Sequence, residues 1–180
     1  MTPNPTGADL TLAAISVGDE LPELAYEVTA TTVVLGALAA RDWRPMHHDY
    51  DFAVNRNGTR NIFLNTPNLA AWYERYLTDW TGPKGRMGRL QFRMRDSIFP
   101  DDTMVLRGVV TSVDTDPAGC GWAQVDVIVS VGATVASEAQ IRVAVPTDPG
   151  DNPWTRRGDR WIPDPERATS QKSEESTPTP

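Results

Sequence analysis

The chain has 180 residues, 24 acidic against 17 basic side chains and a formal net charge of −7; it is long enough for one domain with a real core and too acidic for a general binder of nucleic acid or anionic membrane. Its single cysteine, Cys120, excludes an intramolecular disulfide and a cysteine-based zinc site. The opening MTPNPTGADL lacks the basic and apolar runs of a signal peptide and no apolar stretch reaches the roughly 20 residues of a membrane helix, so a soluble, cytoplasmic protein is expected.

Residues 1–16 read as a flexible N-terminus and 17–146 as the folded body. Within the body, LAYEVT (Leu24–Thr29) reads as a short strand. Thr31 or Thr32 can then cap a helix through VVLGALAA, because a threonine oxygen satisfies a free backbone N–H at a helix start. A polar loop, RDWRPMHHDYDFA, follows, and DYDFAVNRNG predicts a helical turn stopped at Gly58.

The clearest helix comes next. Thr66 is a candidate N-cap, and Pro67 stands where the missing N–H is not needed. Leu69, Trp72, Tyr73, Tyr76, Leu77 and Trp80 recur at spacings of three and four, which places them on one face, and Gly82-Pro83 ends the run.

Strands are predicted for Arg86–Asp96 and Thr103–Val113. After the turn TDPAGCG, Val125, Val127, Val129 and Val131 alternate with more polar neighbours; Ile141, Val143 and Val145 do the same in QIRVAV. Strict period-two patterns joined by short turns argue an antiparallel sheet with one buried face. The fold class is therefore α+β, a curved sheet wrapped around a central helix. Residues 147–180 are rich in proline and poor in aliphatic side chains, and are expected to form a largely disordered tail, above all SQKSEESTPTP. Trp154 and Trp161 leave two readings open there: folding back on the domain, or docking on a partner.

RDWRPMHHDYDFA, residues 41–53, holds both histidines of the chain. Asp42 and His47 are five residues apart with Pro45 between them. Proline fixes its own φ and pushes Arg44 toward an extended conformation, so the loop is stiffened where it turns. A carboxylate and an imidazole brought together can do acid/base work on water. A metal site on His47, His48 and Asp49 lacks a fourth ligand. A solvated polar loop with Asp49 as a cap is the plainer alternative.

The stretch also resembles the hydratase motif of the MaoC-like, (R)-specific enoyl-CoA hydratases, Asp-x-Asn-Pro-x-His-x-Asp with an alanine a few residues later. Asp42, Pro45, His47, Asp49 and Ala53 match it, and Arg44 stands where the family usually has asparagine. NIFLN, RYLTDWTGP and the strands that follow are similar to the small MaoC-like subunits of actinobacterial steroid side-chain hydratases. This similarity runs roughly from Leu21 to Val145.

The resemblance implies a single hot-dog fold and addition of water to a steroid 2-enoyl-CoA, with Asp42 and His47 holding the water. It implies no cofactor beyond the CoA thioester, which is substrate, and no metal. A backbone N–H before the long helix would steady the thioester oxygen. Family members have a His-Gly pair there; this chain has Leu64 and Asn65. Lys84, Arg86 and Arg89, the start of a basic cluster that continues to Arg93 and Arg95, are candidates for the CoA phosphates, with a solvated strand face as the alternative. Small residues such as Ala70, Ala71 and Gly88 could make room for a steroid. The implied partners are a larger MaoC-like subunit in an α2β2 assembly and, through it, a thiolase-like aldolase. An acyl-CoA thioesterase and a non-catalytic hot-dog partner are the competing functions.

Overall fold

Residues 10–164 are described by the computed structural model. They run β1 (Leu24–Glu27), α1 (Ala30–Ala39), α2 (Tyr50–Asn55), α3 (Thr66–Thr81), β2 (Arg86–Met94), β3 (Thr103–Thr115), β4 (Gly121–Val131) and β5 (Thr134–Val145). The strands form one antiparallel sheet in the order β1-β3-β4-β5-β2. Tight turns link β3 to β4 and β4 to β5, so β2 reaches the far edge by pairing with β5 alone.

Helix α3 lies against the sheet because its sequence carries a bulky stripe. Leu69, Tyr73, Tyr76, Leu77 and Trp80 are buried, and Trp72 nearly so. Facing them are Val125, Val127 and Val129 of β4 and Ile141, Val143 and Val145 of β5. Burial of each such side chain stabilises the fold by roughly 1.5–3 kcal/mol. One polar pair crosses this core: the Tyr73 hydroxyl donates to Ser137 Oγ at 2.8 Å, and Ser137 donates on to the Arg93 carbonyl. Among the described residues, no helix is long and apolar enough to cross a membrane.

Two helix starts differ from the sequence expectation. The cap of α1 is Thr29, whose oxygen accepts from Thr32 N–H while Thr32 reaches back, a reciprocal capping box. The cap of α3 is Asn65 rather than Thr66; its Oδ1 accepts from Asn68 N–H at 3.1 Å. Asparagine ranks above threonine as an N-cap. Helices α1 and α3 approach closely at Gly36, where a Cβ would lie 1.8 Å from Asn68 Nδ2. That amide donates to the Thr32 carbonyl and ties the two helices together.

The expectation of a disordered tail from residue 147 does not hold for its first part. Residues up to 164 cross the outer face of the sheet at the start of β2. They are held there by a small second cluster in which Trp161 stacks on Trp122, 4.9 Å between ring centroids, beside Cys120 and Ala144. Trp154 Nε1 donates to the Gly85 carbonyl and Arg156 donates to the carbonyls of Ala118 and Gly119. Both tryptophans thus fold back on their own domain. SQKSEESTPTP and residues 1–9 lie outside the described residues.

Candidate active site

Asp42 owes its position to the end of α1. Arg41 adopts a left-handed φ of 52°, its N–H donating to the Leu38 carbonyl and that of Asp42 to the Ala37 carbonyl. This is the reversal that usually ends a helix on glycine; an arginine there carries some backbone strain. Pro45 then starts a single 3-10 turn, Pro45–His47, with Arg44 extended before it. Asp49 caps α2 by accepting from Phe52 N–H at 3.0 Å. His48 Nε2 meets the Trp43 carbonyl at 3.3 Å, so its ring braces the loop.

His47 is buried, and its Nδ1 lies 2.8 Å from the Phe63 carbonyl. A carbonyl only accepts, so Nδ1 carries a proton, and in the neutral ring Nε2 presents a lone pair. The Phe63 ring packs edge-on against the imidazole at 4.8 Å and fixes its plane. Nε2 points toward Asp42 Oδ2 at 3.6 Å, too long for a hydrogen bond between them.

The Asp42 carboxylate is crowded with donors. Arg44 Nε donates to Oδ1 at 2.8 Å and a terminal Arg44 nitrogen to Oδ2 at 2.7 Å; Asn65 Nδ2 donates to Oδ2 at 3.0 Å. The Arg44 guanidinium holds the carboxyl well below the usual carboxylate range, with help from Asn65 and against the opposing effect of burial. Asn65 therefore caps α3 through its oxygen and holds Asp42 through its nitrogen.

The expected oxyanion donors separate. Leu64 is fully buried and its N–H donates to the Ile98 carbonyl at 2.9 Å, so it is not available. Asn65 N–H and Thr66 N–H have no partner among the described residues and lie at the first turn of α3, where the helix dipole is positive. Thr66 was not singled out from the sequence as a donor.

The basic residues at the start of β2 are engaged by the chain itself. Lys84 Nζ donates to the Pro149 carbonyl at 2.7 Å. Arg86 donates to the carbonyls of Pro153 and Arg156 and lies 3.6 Å from the Trp161 ring centre, and Arg89 faces Asp164 at 3.8 Å. All three face residues 146–164, where backbone carbonyls accept from Lys84 and Arg86 and a carboxylate stands opposite Arg89, which also donates to Gln91. Gly88 leaves no room for a substrate either, since a Cβ there would stand 2.5 Å from the Trp122 ring. Ala71 does line an open hollow of about 420 Å³ between α1 and α3, with Tyr26, Gly36, Trp72 and Arg75. Among the described residues, no group of three or more His, Cys, Asp or Glu side chains could hold a metal ion.

No family model matches the chain. It is 38% identical over 98 residues, 54% of this chain and 75% of the relative, to the 3-oxo-4,17-pregnadiene-20-carboxyl-CoA hydratase beta subunit of Mycobacterium tuberculosis. Its fold superposes on a chain of the ChsH1-ChsH2 complex from the same organism with a TM-score of 0.67 and 32% identity, covering 72% of this chain and 98% of that one. The (R)-hydratase of A. caviae shares the fold at 20% identity, with a TM-score of 0.64 over 73% of this chain and 98% of that one. The chain thus belongs to the MaoC-like hydratase family, in the group of the steroid-hydratase beta subunit.

Proposed function

We propose that this protein is the acid/base-bearing subunit of an enoyl-CoA hydratase that adds water across the double bond of a steroid 2-enoyl-CoA thioester during side-chain degradation. The observation that carries this reading is the facing of two acceptors. His47 Nε2 and the ionised Asp42 carboxylate stand 3.6 Å apart on the hydratase fold. A water molecule donating one hydrogen to each would be held with its oxygen free for the β-carbon.

In the reaction an O–H bond of that water breaks, its oxygen bonds the β-carbon, and the π electrons move to the thioester oxygen. The proton held by the Asp42–His47 pair then goes to the α-carbon on the same face. The N–H groups of Asn65 and Thr66 would steady the charge on the thioester oxygen, an interaction worth about 3 kcal/mol where such donors have been removed. The CoA thioester is substrate, and the chemistry calls for no further cofactor.

The kinship with the chain from the ChsH1-ChsH2 complex supports assembly with a larger MaoC-like subunit as α2β2, and recruitment of a thiolase-like aldolase through that subunit belongs to the same proposal. A CoA-linked substrate and a lone, unpaired cysteine fit a cytoplasmic location. The test is hydration of a steroid enoyl-CoA by the protein assembled with its larger partner. His47→Ala and Asp42→Asn should each lower kcat by about 10²–10⁴-fold with the assembly intact. Full activity in either variant would overturn the roles, and release of free CoA instead of hydration would favour a thioesterase.

A further inference from the structure

We infer that Arg44 is a positioning residue: its guanidinium fork fixes Asp42 as a standing carboxylate and leaves the transfer of the proton to His47. The inference rests on the hydratase reading above. The motif this loop resembles has a neutral asparagine at that place, so the arginine adds a charge as well as a second donor.

A carboxylate offers about four acceptor positions. Arg44 takes one on each oxygen, and Asn65 takes the second on Oδ2. The Arg44 backbone N–H makes a longer contact with Oδ1 at 3.4 Å. Oδ1 is the more weakly engaged oxygen, because its second donor is that long backbone contact, and a water would displace this donor to meet it. A carboxylate held in this way is a poor proton acceptor, whereas Nε2 of His47 has no hydrogen-bond donor on it among the described residues and faces the same carboxylate at 3.6 Å from Oδ2. His47 then takes the proton as the water oxygen bonds the β-carbon and returns it to the α-carbon. Atoms and charge balance with one group serving in both directions, and the Asp42 anion stabilises the imidazolium between the two steps.

An exposed ion pair is ordinarily of little structural consequence, and the Arg44 side chain is 63% exposed. The Asp42 side chain it grips is only 9% exposed and is held from a second element by Asn65. Charged and titratable groups near the pair include Arg41 just before Asp42, His48 and Asp49 in the next turn, and Arg60 with Asp102 beyond Phe63 and Phe99.

The experiment compares Arg44→Asn and Arg44→Lys with the wild type, each assembled with the larger subunit. Arg44→Asn should lower kcat about tenfold with KM changed less than twofold. It should also move the acid limb of kcat/KM to higher pH by about half a unit, because a cation beside the pair has gone. Arg44→Lys keeps the charge without the fork, so the limb should stay while kcat still falls. A raised KM at unchanged kcat would make Arg44 a substrate ligand, and an unchanged kcat and limb would remove the clamp; either overturns the inference. The chain has two histidines, so their imidazole NMR titrations, assigned with His48→Gln, read the clamp without turnover. An inactive wild type would defeat the hydratase reading, while an imidazole titration unmoved by Arg44→Asn would defeat the clamp.

Discussion

Two charged clusters look alike as strings of residues, Arg41 to Asp49 in one loop and Lys84 to Arg95 around β2. In the folded protein they behave oppositely. In the loop the polar groups grip each other so that a single imidazole lone pair stays free beside an anion. At the start of β2 the cations turn onto the carbonyls and rings of residues 149–161, and Arg89 pairs with Asp164 just beyond, which fastens the C-terminal segment to the sheet. Density of charge does not mark a site. The destination of the donors does, because a cation whose donors are taken up by backbone carbonyls has lost part of what would attract a ligand.

The sharpest test of that contrast is Asn65, which belongs to the loop cluster in space and to α3 in sequence. Asn65→Ala should reduce kcat by about 10–100-fold and stability by about 1–2 kcal/mol. Asn65→Ser restores a cap oxygen but not the donor to Asp42, so the melting temperature should recover while kcat stays low. Recovery of kcat in the serine variant would mean that the Asp42 contact is incidental. Next in size is Arg86→Met, expected to cost about 2–3 kcal/mol in denaturant unfolding through two lost hydrogen bonds and a ring contact. The KM for acyl-CoA should change less than twofold. A raised KM at unchanged stability would make the β2 cluster a ligand site after all and erase the distinction. Trp161→Ala should cost less, about 1–2 kcal/mol, again with kinetics intact.

The fold was legible in the sequence where periodicity carries it. The stripe from Leu69 to Trp80 and the alternation through Val125–Val131 and Ile141–Val145 follow from which side of an element can face a core, and they define α3, β4 and β5. Asp42 and His47 were legible through their spacing around Pro45 and through a family resemblance. Other parts of the site had no such signal. The Phe63 carbonyl that sets the His47 tautomer is a backbone atom, which no side-chain pattern reveals. Leu64 fails as a donor because its N–H meets Ile98, a neighbour 34 residues away in sequence. Asn65 did carry a signal, since asparagine before Thr-Pro is a better cap than the threonine itself. The fate of Lys84 and Arg86 depended on a segment whose proline content suggested disorder; its two tryptophans were the counter-signal.

The smallest expected effect concerns acid stability, and it places the two regions side by side. Asp42 is held below its ordinary range chiefly by Arg44. Asp151, in the C-terminal segment, is pushed up by burial but lowered overall by Thr147 N–H and Arg156. A carboxyl with a depressed native pKa stabilises the folded state above its unfolded value, about 3.9, and loses that contribution as pH falls through the native value. Neither pair should therefore add pH dependence between pH 8 and pH 5, and both should weaken below about pH 4. Asp42→Asn and Asp151→Asn should each flatten the stability curve there. The Asp151–Arg156 side chains are 13% and 14% exposed, whereas Arg44 is 63% exposed, so solvent screens the site pair more. Asp151→Asn should accordingly flatten the curve more than Asp42→Asn in denaturant titrations from pH 5 to pH 3. The reverse order would mean that the Arg44 fork, despite its exposure, contributes more to holding the fold than the Asp151–Arg156 pair of the C-terminal segment does, and the loop would then be a structural element as much as a reactive one.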